Sequence, residues 1–275
     1  MPQSLVGVDV GENFLDLALM RAGSDAVEHR RVALAGLDPD PLRILCERLS
    51  ESCPDSSPAW LALIDSPRWP RDLDYSSHIL ALRDPVPPAR ILDQAVRERL
   101  RRLSNRDPVR LSMFPTPRLE YFRDCAGMPS CKPHLRSIYL QLFGGDAGVW
   151  SNAPASQSAS IRGGTFTRFM LAGFLTFRAW QKLGVPTLEA YPELQFRLAS
   201  GRQLPPKADK KAALAERIAI IRRLRRWLAI ATEPPPDTLD QVDAEILALS
   251  AAAAIKVGRL AALEHPAEGR FLITF

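Results

Sequence analysis

The stretch LVGVDVGENFLDLALM, from Leu5 to Met20, is where the fold is decided. Leu5 to Val10 is an apolar run that reads as a strand, and Phe14 to Met20 alternates well enough to be its hairpin partner across a Gly-Glu-Asn turn. Val27 to Leu34 supplies a third strand. Asp9 lies inside the first run, where an unpaired charge is expensive, and the flanking Gly7 and Gly11 leave room for a ligand near the backbone.

Further along, Asp38 to Ser52 has helical spacing through Leu42, Leu45, Cys46 and Leu49, with Pro39 and Pro41 in the opening turn, where proline is tolerated. Ala59 to Ile64 is a short apolar run of the kind buried on both faces of a sheet, and Asp65-Ser66-Pro67 stops it at a candidate functional edge. The order β-β-β-α-β opens on an antiparallel meander. It puts Asp9 and Asp65 on neighbouring strands if the first strand is central.

Residues 66–160 hold many of the prolines and no second long strand pattern. They read as a mainly helical insertion, with helices at Ala89 to Leu103 and Pro133 to Phe143 and a Ser/Ala-rich loop from Asn152 to Ser160 near the site. An apolar helix follows from Thr167 to Leu183, capped at Gly184, then a fifth strand from Pro186 to Tyr191. A helix starting near Pro192 and a basic one from about Lys210 to Ala229 come next. After Pro234 to Pro236, an alanine-rich helix runs from Thr238 or Leu239 to about Val257, and Arg270 to Phe275 is a terminal strand. Residues 1–275 thus read as one α/β domain carrying that insertion.

With 46% hydrophobic residues the chain can bury a substantial core. No window approaches the ~20 uncharged apolar residues that span a bilayer, and the N-terminus lacks a basic stretch followed by an apolar one. A cytoplasmic protein with no membrane partner is expected. The pairs Cys46/Cys53 and Cys125/Cys131 have neither C-x-x-C nor a usual zinc spacing, so ordinary reduced thiols are expected. The net charge of +5 is unevenly spread: Arg83 to Arg123 and Arg202 to Arg226 together carry +12, and the remainder −7. Such segregation suits a protein that meets phosphates with basic surfaces and keeps an acidic centre elsewhere; solvated helix faces are the plainer explanation.

Two-metal phosphoryl chemistry needs several carboxylates converging on one point, because Mg²⁺ and Mn²⁺ prefer oxygen ligands. Asp9 and Asp65 are the leading candidates, although an Asx turn would also account for Asp65. Asp240 and Asp243 share one face near a helix start; capping explains one of them, while the apolar stretch after Asp243 carries that residue inward. Glu189 interrupts the fifth strand, and Glu193 sits in a first helical turn, where an acid is favourable without any function. Clustered acids repel unless a cation neutralises them, so the set predicts bound Mg²⁺ or Mn²⁺.

Together these motifs resemble the domain-of-unknown-function family 429, predicted ribonuclease H-like nucleases, over most of the chain. GVDVG at Gly7 to Gly11 resembles its first-strand motif and IDSP at Ile64 to Pro67 its Ile-Asp-Ala-Pro signature. Arg90, Asp93 and Arg97 match an Arg-x-x-Asp-x-x-x-Arg pattern, and SMFPTPR at Ser112 to Arg118 is similar to a Ser-Val-Phe-Pro element. EAYPE at Glu189 to Glu193 resembles Glu-x-His-Pro-Glu, with Tyr191 in place of His; Lys210, Lys211, Arg217 and then DQVDA at Asp240 to Ala244 complete the order. The same layout is similar to Holliday-junction resolvases and related transposases of the superfamily, which place acids on the first strand, the fourth strand and the final helix.

The resemblance implies a ribonuclease H-like mixed sheet flanked by helices. It also implies a metal-dependent nuclease or phosphodiesterase: Asp9, Asp65, Asp240 and Asp243 on the metal, Glu189 joining them in catalysis. Arg90, Arg97, Lys210, Lys211 and Glu193 would meet a nucleic-acid substrate. A ribonuclease H-like scaffold that binds nucleic acid or protein without cutting is the alternative. An actin-like sugar or acyl kinase ranks third, because Gly144-Gly145 and Gly163-Gly164 are isolated pairs and make no second phosphate loop.

Overall fold

A computed structural model describes residues 4–53, 60–66, 126, 131–144, 164–201, 204–258, 261–265 and 269–273. Strands β1 (Ser4–Val10), β2 (Phe14–Met20) and β3 (Glu28–Ala33) form the antiparallel meander, followed by helix α1 (Pro41–Ser52) and strand β4 (Trp60–Asp65). Then come α2 (Pro133–Phe143), α3 (Gly164–Lys182), β5 (Thr187–Glu189), α4 (Pro192–Ser200), α5 (Lys210–Leu228) and α6 (Leu239–Lys256). A hairpin of β6 (Ala261–His265) and β7 (Gly269–Ile273) ends the described chain.

The sheet order is β3-β2-β1-β4-β5-β7-β6, with β4, β5 and β7 added parallel to β1 in succession. An antiparallel meander whose first strand is central and receives parallel strands on its other side is the ribonuclease H-like arrangement. One terminal strand was expected where two occur: β6 pairs antiparallel with β7 at the sheet edge. Most of the expected insertion, including Ala89 to Leu103, Ser112 to Arg118 and Asn152 to Ser160, lies outside the described residues. Its last expected helix is α2, which packs with α1 and α3.

Strand alternation divides the core into two layers. Val6, Val8, Val10, Leu15, Leu17, Ala62 and Ile64 face one side and pack with α1, α2 and α3, through Leu45, Leu135 and Phe174 among others. Leu5, Ala18, Met20, Leu61 and Leu63 face the other and meet α4, α5 and α6. Cys46, Cys53 and Cys131 are buried.

Helix α6 is the element that places the site. Thr238 caps it, accepting from the Gln241 amide at 3.2 Å. Every residue from Val242 to Ala254 is buried, and the small side chains let the helix lie close to the sheet. Gly7 is what permits that approach, since a Cβ there would stand 1.9 Å from the Ala244 carbonyl oxygen and 2.9 Å from the Ala248 amide. Both neighbours are backbone, so nothing can swing aside. Gly7→Ala is therefore expected to cost about 2–3 kcal/mol, read as a lower melting temperature. Wild-type melting would contradict the close packing of α6 on β1.

Candidate metal centre

The Gly7 contact carries the acids together. One helical turn before Ala244 is Asp240, and two residues beyond Gly7 on β1 is Asp9; both steps are about 6 Å along their elements. Asp9 continues the alternation of Leu5 and Gly7, Asp65 that of Leu61 and Leu63, and Asp16 runs in phase with Ala18 and Met20. All three therefore face the α6 layer. Register completes the convergence, with Asp9 paired to Asp16 on one side and to Asp65 on the other.

The carboxylates fall into two groups that share Asp9. One oxygen from each of Asp9, Asp16 and Asp240 lies within 4.8 Å of the others. On the other side, Asp9 hydrogen-bonds Asp65, and both carboxylates feel the charge of Asp243. Asp243 is 1% exposed and pairs through Oδ2 with the Lys207 ammonium, while its Oδ1 is buried with no hydrogen-bond partner. Arg31 forks onto Asp16 at 3.0 and 2.9 Å and reaches Asp240 at 3.7 Å. Among the described residues, Lys207 and Arg31 are the lysine and arginine that ion-pair with these five acids.

That imbalance is felt in proton affinity. Burial, then repulsion from Asp243 and Asp65, pushes Asp9 well above the usual carboxylate range. Burial also raises Asp65, to about 7, against the opposing pull of Lys207. Asp243 is raised by burial despite Lys207. Burial works against the Lys207 charge too, but Asp243, Asp65 and Asp9 hold its ammonium above the ordinary lysine range. At the pocket wall, the Tyr191 phenol is raised by burial, then by Asp65 and Glu193.

The sign of the resulting pH dependence follows directly. Between the ordinary carboxylate value of 3.8 and about 7, Asp65 holds a proton in the folded chain that the unfolded chain has released. Stability without divalent ions must then fall as pH rises through that window. Melting of chelator-treated protein between pH 5 and 8 is the check, and Asp65→Asn should flatten the slope. A melting temperature that climbed with pH would reverse the sign.

The turn after Asp9 is braced from the opposite layer. Gly11 donates to the Phe14 carbonyl at 2.9 Å, Lys132 reaches Asn13 Oδ1 at 2.6 Å and Glu12 Oε1 at 2.9 Å, and Arg168 lies 3.6 Å from Glu12. Among solved structures the chain is similar to one titled "Thermus thermophilus RuvC structure", at 12% identity over 98% of this chain and 100% of that one, with a TM-score of 0.39. No family profile and no curated protein matches the sequence.

Other expected site residues are placed differently. Glu189 is buried beside Ile64 in the β4–β5 register, and Ile64 belongs to the α1–α3 layer; Leu188 is the neighbour that packs with the α6 layer. Glu189 thus points away from Asp9. Glu193 is committed to Arg197 at 3.1 Å and to buried Arg217 at 2.7 Å. Lys210 and Lys211 are exposed in the first turn of α5. Arg90 and Arg97 lie outside the described residues.

Asp16 and Lys207 were not among the expected site residues. Asp16 carried the same signal as Asp9, an acid inside an apolar strand, and counting back across the Gly-Glu-Asn turn pairs the two. Lys207 stands in the short loop before α5, and nothing in its local sequence points to the pocket. No helix among the described residues is long and apolar enough to cross a membrane.

The donor set fits Mg²⁺ or Mn²⁺. It is made of carboxylate oxygens alone, which those ions prefer. The unpartnered Asp243 Oδ1 is a buried acceptor of the kind that native structures satisfy.

Proposed function

We propose that the chain is a metal-dependent nuclease or phosphodiesterase acting on nucleic-acid phosphodiester bonds at the Asp9, Asp65 and Asp243 pocket. The observation that carries this reading is the meeting of acids from β1, β2, β4 and α6, with the buried Asp243 Oδ1 left unpartnered among them. Asp9, Asp65, Asp240 and Asp243 would hold the ion, joined by Asp16. A bound divalent ion supplies Lewis-acid polarisation of a phosphate oxygen and a more acidic water.

The protein's own groups supply the rest. Arg31 keeps Asp16 and Asp240 aligned, and the buried α6 face holds Asp243 at a fixed depth. Lys210 and Lys211 on α5, with Arg90 and Arg97, would meet the phosphate backbone. Glu189 would act only indirectly, from the far layer. The motif order also supports reading the whole chain as a single-domain, divergent relative of the domain-of-unknown-function family 429, active in the cytoplasm.

The test is Mg²⁺- or Mn²⁺-dependent cleavage of single-stranded, duplex and branched substrates. Cleavage that chelation abolishes is expected. Failure to cut any of them would remove the nuclease reading. A non-cutting scaffold is favoured by one observation, the Lys207 ammonium already seated against Asp243. Salt-sensitive nucleic-acid binding without metal uptake would decide for it.

A further inference from the structure

We propose that Lys207 is a built-in cation of this centre: its ammonium fills one of two cation positions, so that a single divalent ion completes the pocket. The proposal rests on the metal-dependent reading above and concerns how many ions that centre takes.

The two acid groups sharing Asp9 are differently equipped. Among the described residues, Asp16 and Asp240, on one side, ion-pair with Arg31, whose guanidinium is shared between them. On the other side the Lys207 ammonium contacts Asp243 directly, and its charge acts on Asp65 and Asp9 as well. An ammonium in contact with one buried carboxylate, its charge acting on two more, occupies the kind of position a hard cation takes. It binds Asp243 through Oδ2 alone and leaves the buried Oδ1 for another partner.

Lys207 is also held in place, unlike an ordinary surface lysine. Buried Arg217 donates to the Pro205 carbonyl at 3.1 Å and fixes the start of the loop. Asp209 caps α5 by accepting from the Ala212 amide at 3.2 Å and fixes its end. Arg217 is itself anchored on Glu193 and lies 5.4 Å from the Phe196 ring centre. Glu193 and Arg217 thereby become positioning residues for the lysine. The ammonium would stabilise charge on a phosphate oxygen where a second ion does so in two-ion centres.

The experiment counts bound ions in the full chain. Calorimetric titration with MnCl₂ is paired with electron paramagnetic resonance of protein equilibrated with excess Mn²⁺. The expected result is one Mn²⁺ in wild type and in Lys207→Arg, and two in Lys207→Met, with spin coupling between the neighbouring ions. Two ions in wild type would overturn the proposal whatever the variants show, while leaving the metal-dependent reading intact. One ion in a folded Lys207→Met would overturn it equally; Lys207→Gln replaces that variant if it does not fold. No Mn²⁺ in wild type would remove the metal-dependent reading and this proposal with it.

Discussion

Asp9→Asn is expected to abolish metal-dependent cleavage while making the metal-free protein melt higher. Asp9 is the carboxylate common to both acid groups, so losing it strips the ion of its central ligand. A rate loss of about 10³-fold or more is expected, equivalent to roughly 4 kcal/mol of barrier. Stability should move the other way. In wild type, burial and the charges of Asp243 and Asp65 penalise the ionised Asp9, and an amide removes that penalty at nearly constant shape. Added Mn²⁺ should raise the melting temperature of wild type and leave that of Asp9→Asn almost unchanged. A variant that lost both cleavage and thermal stability would mark Asp9 as a structural residue.

Arg225→Met is expected to be the most damaging single change to stability. Arg225 and Glu245 are 1% and 0% exposed, and the guanidinium donates to Glu245 Oε2 at 2.8 Å. It also donates to the carbonyls of Ala231 and Pro234 at 3.1 and 2.9 Å, tying α5, the following loop and α6 together. Removing it leaves a buried carboxylate whose remaining partner among the described residues is His29, at 2.9 Å. Breaking a buried pair in this way costs about 3–5 kcal/mol. Because Glu245 lies two residues after Asp243, the loss should also weaken Mn²⁺ binding. Denaturant titration is the check, with an unchanged slope and an earlier midpoint. Adding Glu245→Leu should recover most of the loss, since an apolar pair of similar volume avoids the desolvation cost. A single variant as stable as wild type would show that the pair does not hold α6.

Much of this site was legible in the sequence because period-2 alternation states which face a strand residue takes. Asp9 interrupting an apolar run and Asp65 ending another gave the neighbouring pair that the register shows. Asp240 and Asp243, three apart before an alanine-rich run, gave the helix that covers them. The layer that Glu189 faces was not legible, because parity within one short strand says nothing about parity against its neighbour. Only the Ile64–Glu189 register assigns it to the far layer.

The rest was not local. Glu193 could have been assigned to Arg197 from their spacing of four, but its tie to Arg217 joins two helices. Arg31 meets Asp16 through strand pairing, and Lys207 enters through a loop whose path is set by Arg217. The β6 strand carries too little alternation to separate it from the end of α6.

The central claim is that Asp9 and its neighbours gather into a pocket for a divalent cation. Anomalous diffraction at the manganese edge from crystals soaked in MnCl₂ tests it most directly. A manganese peak ligated by Asp9 together with at least one of Asp65, Asp240 and Asp243 is the predicted result. Density with no manganese among these carboxylates, in crystals that carry it elsewhere, would contradict the account.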